Sequence, residues 1–136
     1  LPAAAAGSER VLMRGSDSPS LDFGILADVM ERLDAGDDLV LTPDLDGGYA
    51  VIGLRRPDPR LFGVGMSTAT VLEETLGIAR GLGLRASTTD PALDLDTVED
   101  VGRLRSGLAD RRATDPAELC PRTIQFIEQH ARLSTL

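Results

Sequence analysis

The stretch Arg10-Val11-Leu12-Met13-Arg14-Gly15-Ser16-Asp17-Ser18-Pro19-Ser20-Leu21-Asp22 decides the fold class. Its apolar start, Arg10 to Arg14, predicts a β-strand, and Gly15 to Pro19 form a turn cluster. Downstream, Ile25, Leu26, Val29, Met30 and Leu33 share one helical face. Asp22 is placed to cap that helix, and Gly36 stands where a left-handed residue ends it. A strand that feeds through a turn into an amphipathic helix is the building unit of α/β domains.

The rest of the chain repeats this alternation. Strands are predicted at Asp38 to Thr42, Tyr49 to Leu54 and Leu84 to Thr88. Asp46-Gly47-Gly48 reads as a tight turn. A helix is expected from about Ser67 or Thr70 to Leu82, with Thr70 and Glu73 able to form a capping box and Gly83 after its end. Thr97 and Asp100 resemble a second capping box, opening a helix to about Ala109. The tail from Pro116 to Leu133 reads as helix, with Pro121 in a first turn. The expectation is an α/β domain over residues 10–136 with a largely parallel sheet covered on both faces, after a flexible segment at residues 1–9. In such sheets ligands bind beyond the carboxyl ends of the strands, which directs attention to Asp17, Asp46, Asp94 and Asp96.

Composition narrows the chemistry. The 136 residues fit one domain, with a core of Leu, Val, Ile and Ala because aromatics are only 3% and Trp is absent. One cysteine, Cys120, excludes an internal disulfide and a multi-Cys zinc site. No apolar run approaches the ~18 residues of a membrane span. No signal peptide is visible, so a cytoplasmic location is expected. Residues 1–102 carry 8 Arg and 18 acidic residues, whereas residues 103–136 carry 6 Arg and 4. An acidic body disfavours nucleic-acid binding and suits the recruitment of divalent cations. All 14 basic residues are Arg, so Schiff-base chemistry and a P-loop lysine are unavailable. The lone histidine, His130, lies far in sequence from every motif-like segment, which argues against a Ser-His-Asp or Cys-His engine.

Four segments could carry chemistry. Gly15-Ser16-Asp17-Ser18 delivers a carboxylate among small residues that let a phosphate approach, and Mg²⁺ favours one or two carboxylates plus phosphate oxygens and water. A turn-capping Asp explains the same residues. Asp44-Leu45-Asp46-Gly47-Gly48-Tyr49 offers carboxylates beside a glycine turn, or is a hairpin turn and nothing more. Asp94-Leu95-Asp96-Thr97 could share carboxylates on one face, or cap a helix. Ser67-Thr68-Ala69-Thr70 could hold an anion at a helix start, or cap it.

Taken together and in this order, Gly-Ser-Asp-Ser-Pro-Ser-Leu (15–21), Asp-Gly-Gly-Tyr-Ala-Val-Ile-Gly-Leu (46–54), Ser-Thr-Ala-Thr-Val-Leu (67–72) and Asp-Leu-Asp-Thr-Val-Glu-Asp (94–100) resemble the selenodomain-associated transferase family. Those proteins look like glycosyltransferase-A-type enzymes and are similar to the nucleotidyltransferases that make sugar nucleotides. The resemblance runs from about Val11 to Leu108 and implies a three-layer αβα Rossmann-like sandwich. It implies that Asp17 and Asp96 hold Mg²⁺ or Mn²⁺, and that Ser16, Ser18, Ser67 and Thr68 face the nucleotide cofactor or donor. It implies that Gly47, Gly48 and Tyr49 face the acceptor, with Asp46 the candidate base.

Two departures from the family stand out. Its N-terminal third, with a basic glycine-containing loop, has no counterpart here, and Leu1 in place of Met implies a processed chain or one cut from something longer. Arg14 stands where the family has an apolar residue. The expected function is a metal-dependent transferase moving a glycosyl or nucleotidyl group from a nucleotide or nucleotide-sugar donor to a small acceptor. The rival is a non-catalytic binding or oligomerisation module of the same fold. The absent first strand predicts an open flank at Val11 to Met13, covered by a second copy in a homodimer, by the tail helix, or by upstream sequence.

Overall fold

The computed structural model describes residues 10–19, 21–65, 69–92, 97–102 and 120–130. In chain order these form β1 (Val11–Arg14), α1 (Phe23–Ala35), β2 (Leu39–Pro43), β3 (Tyr49–Leu54), a 3₁₀ turn (Pro59–Phe62), α2 (Val71–Gly81), β4 (Ala86–Thr88) and α3 (Pro121–Gln129). Residues 98–102 are also helical. Among the described residues, no helix is long and apolar enough to cross a membrane.

The sheet order is β1-β3-β2-β4. β3 is antiparallel to both neighbours, pairing Val11 with Leu54 on one side and Leu39 with Leu54 on the other. β2 and β4 are parallel, Leu39 beside Ala86. The sheet is therefore mixed, which corrects the largely parallel expectation. The cause is local. A parallel pair needs a crossover of a dozen or more residues, whereas β2 and β3 are joined by the short turn Asp44 to Gly48, which permits only an antiparallel hairpin. β1, β2 and β4 still share one direction, so their carboxyl ends lie at the same edge of the molecule as the start of β3.

Strand alternation sends apolar side chains to both faces. On one face Leu21, Val29, Leu33, Val40, Ala50, Val51 and Ala92 pack beneath α1, with Leu12, Ile25 and Leu26 against them. On the other, Leu39, Leu41, Ile52 and Leu54 meet Leu61 of the 3₁₀ turn and Leu76 and Ala79 of α2. The expected α1 face is largely buried, although Met30 remains 36% exposed. Close approach of α1 depends on Gly53, where a Cβ would stand 2.5 Å from Val29 Cγ1.

The ends of α1 follow the sequence. Asp22 Oδ1 accepts the Gly24 N–H at 2.7 Å, and Gly36 closes the helix at φ 124°. A cap of this kind contributes about 1 kcal/mol. Arg55 Nη2 donates to Leu33 O at 2.9 Å and so satisfies a terminal carbonyl of α1. The α1–β2 connection is tied to β4 through Asp37, which accepts from Ser87 Oγ and pairs with Arg85. Thr97 and Asp100 do form a capping box: Thr97 N donates to Asp100 Oδ2 at 2.9 Å, and Asp100 N to Thr97 Oγ1 at 3.2 Å. Thr70 makes no such cap for α2. Instead Gly47 O accepts the Leu72 N–H at 3.0 Å, so a neighbouring loop satisfies that free helix donor.

Candidate functional site

Three connections converge at the carboxyl ends of β1, β2 and β4. The first runs from Gly15 to Ser18. Gly15 N donates to Ala50 O at 2.9 Å, prolonging the β1–β3 ladder into the loop. Asp17 is exposed, and Ser16 Oγ donates to its Oδ1 at 3.2 Å. Ser18 is fully buried, so of the loop's two serines it is Ser16 that faces solvent. Arg14 wraps this loop from behind, donating from Nη2 to Ser18 O at 2.7 Å and from Nε to Gly15 O at 3.3 Å.

The second connection is Asp44 to Gly48. Asp44 Oδ1 accepts N–H groups from Asp46 and Gly48, each at 2.8 Å. The Asp44 carboxylate thus holds the turn, while the Asp46 carboxylate is exposed. Gly47 has φ 87°, and a Cβ there would stand 1.9 Å from Ala69 O. This contact seats the turn on the start of α2. Tyr49 follows, half-buried at the start of β3. Burial pushes its phenol pKa up, partly opposed by the neighbouring Thr75 hydroxyl. The phenol therefore stays protonated at neutral pH. Thr75 Oγ1 is fully buried and lies near the phenol, but among the described residues it has no partner that meets hydrogen-bond geometry.

The third connection leaves β4. Thr42 and Thr89 hydroxyls meet at 2.7 Å in the core, Thr89 N donates to Leu41 O, and Ala92 N donates to Pro43 O at 2.8 Å. These bonds hold residues 89–92 along the carboxyl end of β2. Asp94 and Asp96, the next carboxylates in the chain, lie outside the described residues, as do Ser67 and Thr68 before α2. The structure therefore brings Ser16, Asp17, Asp46, Gly47, Gly48 and Tyr49 to one end of the sheet.

For a divalent cation the donor chemistry is suitable. Asp17 is a solvent-facing carboxylate with oxygen capacity to spare, of the hard type that Mg²⁺ and Mn²⁺ prefer. Among the described residues, no cluster of three or more His, Cys, Asp or Glu side chains forms a ready-made cage.

Sequence reasoning missed two contributors. Asp44 could have been found: an Asp ahead of a Gly-Gly turn is an Asx-turn pattern. Arg14 stands out in the sequence as a charge at an apolar position, but its carbonyl partners depend on the loop folding back over it. A cavity of about 500 Å³ lies at the opposite end of the sheet, lined by Asp38, Arg55, Arg56, Pro57, Asp58, Leu61 and Leu84. Its carboxylates are already engaged: Asp38 accepts from Arg85 N, and Asp58 pairs with Arg60, which holds the Asp58 carboxyl below its usual pKa.

Residues 2–68 match a family described as uncharacterized proteins conserved in bacteria (DUF2064). No curated protein matches the chain. A crystal structure from Desulfovibrio desulfuricans G20, of a protein assigned provisionally as a nucleotide-diphospho-sugar transferase, is similar over 93% of this chain, with 27% identity and a TM-score of 0.72. The match spans 57% of that protein's length. In sequence and fold, then, the chain is similar to part of a protein with a nucleotide-sugar transferase assignment.

Proposed function

We propose that this chain is the acceptor-side and metal-side portion of a metal-dependent transferase, which moves a glycosyl or nucleotidyl group from a nucleotide or nucleotide-sugar donor to a small acceptor. The observation that carries the reading is the convergence of the Asp17 loop, the Asp44–Gly48 turn and the start of α2 at the carboxyl ends of the strands. The likeness to the D. desulfuricans protein over most of the chain supports the transferase class.

In this reading Asp17 and Asp96 hold Mg²⁺ or Mn²⁺, and the cation supplies charge neutralisation to the donor's diphosphate. The protein's own work is positioning. Ser16, exposed beside Asp17, hydrogen-bonds a donor phosphate oxygen, with Ser67 and Thr68 facing the same donor. The Ser18 side chain is buried, and its backbone carbonyl accepts from Arg14 and Leu21. Gly47, Gly48 and the protonated Tyr49 phenol border the acceptor. The exposed Asp46 carboxylate takes the acceptor hydroxyl's proton in a glycosyl transfer, and is dispensable where the acceptor is already a phosphate or carboxylate.

Thermal unfolding across a panel of nucleotides and sugar nucleotides, with and without Mn²⁺, tests the reading. A ligand at a hundredfold excess over its Kd contributes about 2.7 kcal/mol of stability. At least one nucleoside diphosphate or its sugar ester should raise the Tm only when Mn²⁺ is present, and Asp17→Asn should remove that shift. No stabilisation by any member of the panel would leave the non-catalytic module as the better account.

A further inference from the structure

We propose that Arg14 is a positioning residue, which clamps both ends of the Gly15–Ser18 loop and so fixes where the Asp17 carboxylate stands. The inference rests on the metal-site reading only for its consequence, not for its geometry. Arg14 ends β1, opposite Val51 of β3. Its side chain turns forward along the loop: Nε reaches Gly15 O at 3.3 Å and Nη2 reaches Ser18 O at 2.7 Å. One planar guanidinium thus bridges the first and last residues of the turn. Asp17 stands between these two anchors, and among the described residues its carboxylate accepts only from Ser16 Oγ.

Two backbone bonds lie at the same two points. Gly15 N is bonded to Ala50 O, and Ser18 O also accepts the Leu21 N–H at 3.2 Å. Among the described residues, no comparable bond holds the exposed tip, Ser16 and Asp17, where Ser16 Oγ donates to Asp17 Oδ1. An arginine is suited to this task because its fork presents several N–H donors in a fixed plane. A lysine in its place offers one point charge and cannot span both carbonyls in the same way. Hydrogen bonds from a charged donor are also stronger than neutral ones. A carboxylate that must meet a cation at a short, defined distance gains affinity when its loop is already ordered.

Backbone ¹⁵N relaxation and Mn²⁺ titration on the chain test this directly, with Arg14→Met, Arg14→Lys, Asp17→Asn and, as a control for surface charge, Arg56→Met. In the unsubstituted chain the Ser16 and Asp17 amides should show order parameters near ~0.85, falling below ~0.6 in Arg14→Met. Arg14→Lys should be intermediate, and Arg56→Met unchanged. Mn²⁺ affinity should fall about tenfold in Arg14→Met, the change expected from losing charge-assisted hydrogen bonds worth roughly 1.4 kcal/mol. Loop order in Arg14→Met and Arg14→Lys equal to that of the unsubstituted chain overturns the proposal, as does equal loss in Arg56→Met. If Asp17→Asn leaves Mn²⁺ affinity intact, the metal-site reading fails while the loop-order result still decides the role of Arg14.

Discussion

Asp44 and Gly48 close the β2–β3 turn twice, because Asp44 N donates to Gly48 O at 3.1 Å while Asp44 Oδ1 accepts the Gly48 N–H at 2.8 Å. The same carboxylate oxygen accepts the Asp46 N–H. Hydrogen bonds to a charged group contribute roughly 1.5–3 kcal/mol each, and partial exposure places these near the lower end. Asp44→Ala should therefore lower the unfolding free energy by about 1–2 kcal/mol in urea titration. Asp44→Asn, which keeps an acceptor oxygen, should lose less. Equal stability of all three chains would show that the turn is held by its backbone alone.

Two glycines should tolerate no side chain, for different reasons. Gly47 combines φ 87° with backbone in the way, since a Cβ would lie 1.9 Å from Ala69 O. Relief requires the turn to move off the start of α2, so Gly47→Ala should cost about 1–3 kcal/mol, the range for residues forced into strained backbone. It should also break the Leu72 N–H bond to Gly47 O, visible as faster amide exchange at Leu72. At Gly53 the obstacle is Val29 Cγ1 at 2.5 Å, a side chain that can rotate only into a packed core. Gly53→Ala should cost about 1–3 kcal/mol by overpacking while leaving the Leu72 amide protected. A stable, unshifted Gly47→Ala chain would contradict the close seating of the turn on α2.

The contrast between these elements shows what could be read without coordinates. The α1 helix was legible from end to end, because Asp22, the apolar face and Gly36 are local signals that agree with one another. The Tyr49–Leu54 strand was legible for the same reason. Strand direction was misjudged although its signal was present: the Asp-Gly turn marks a hairpin, and a hairpin makes its second strand antiparallel. The Thr70–Glu73 pattern misleads: Thr70 makes no side-chain cap, and the Leu72 N–H of the same turn goes to Gly47 O, distant in sequence. Likewise Arg14 could be recognised as unusual from the sequence, but its carbonyl partners follow from the curl of the loop. Candidate site residues at strand ends could be located by topology, whereas which serine faces solvent required packing: Ser18 is buried and Ser16 is not.

Cys120 should behave as a sheltered thiol. It is 7% exposed, grouped with Ile124, Ile127 and Val101, and burial raises its pKa above the ordinary value of 9.0. A raised folded-state pKa means that folding favours the thiol over the thiolate. Its contribution is fully present below the unfolded pKa and is lost as pH climbs through the folded value. The urea midpoint should therefore fall as pH rises above about 9, and fall less in Cys120→Ala. A thiol-reactive dye at pH 8 should label the native chain far more slowly than the urea-unfolded one. Equal labelling rates would mean that α3 does not shield the sulfur in solution.

The open edge of the sheet makes the last prediction. The strand order ends at β1, and no partner lies beyond it among the described residues. Because Gly15 N bonds to Ala50 O, ladder alternation turns the Val11 and Met13 amides toward β3 and those of Leu12 and Arg14 outward. Met13 is 37% exposed on this edge. The tail helix α3 sends its buried side chains to Val101 instead. An edge with free donors and acceptors attracts another strand, but this one is blunted by its four-residue length and by Arg10 and Arg14 at its ends. Arg10 is itself held by Asp34. Self-association should therefore be weak and concentration-dependent, detectable by sedimentation equilibrium and dispersed by dilution. Met13→Lys adds a charge in the middle of the edge without touching the core, so it should shift the equilibrium to monomer at an unchanged Tm. A chain that stays monomeric at the highest accessible concentration, with or without the substitution, would show that β1 does not recruit a second copy.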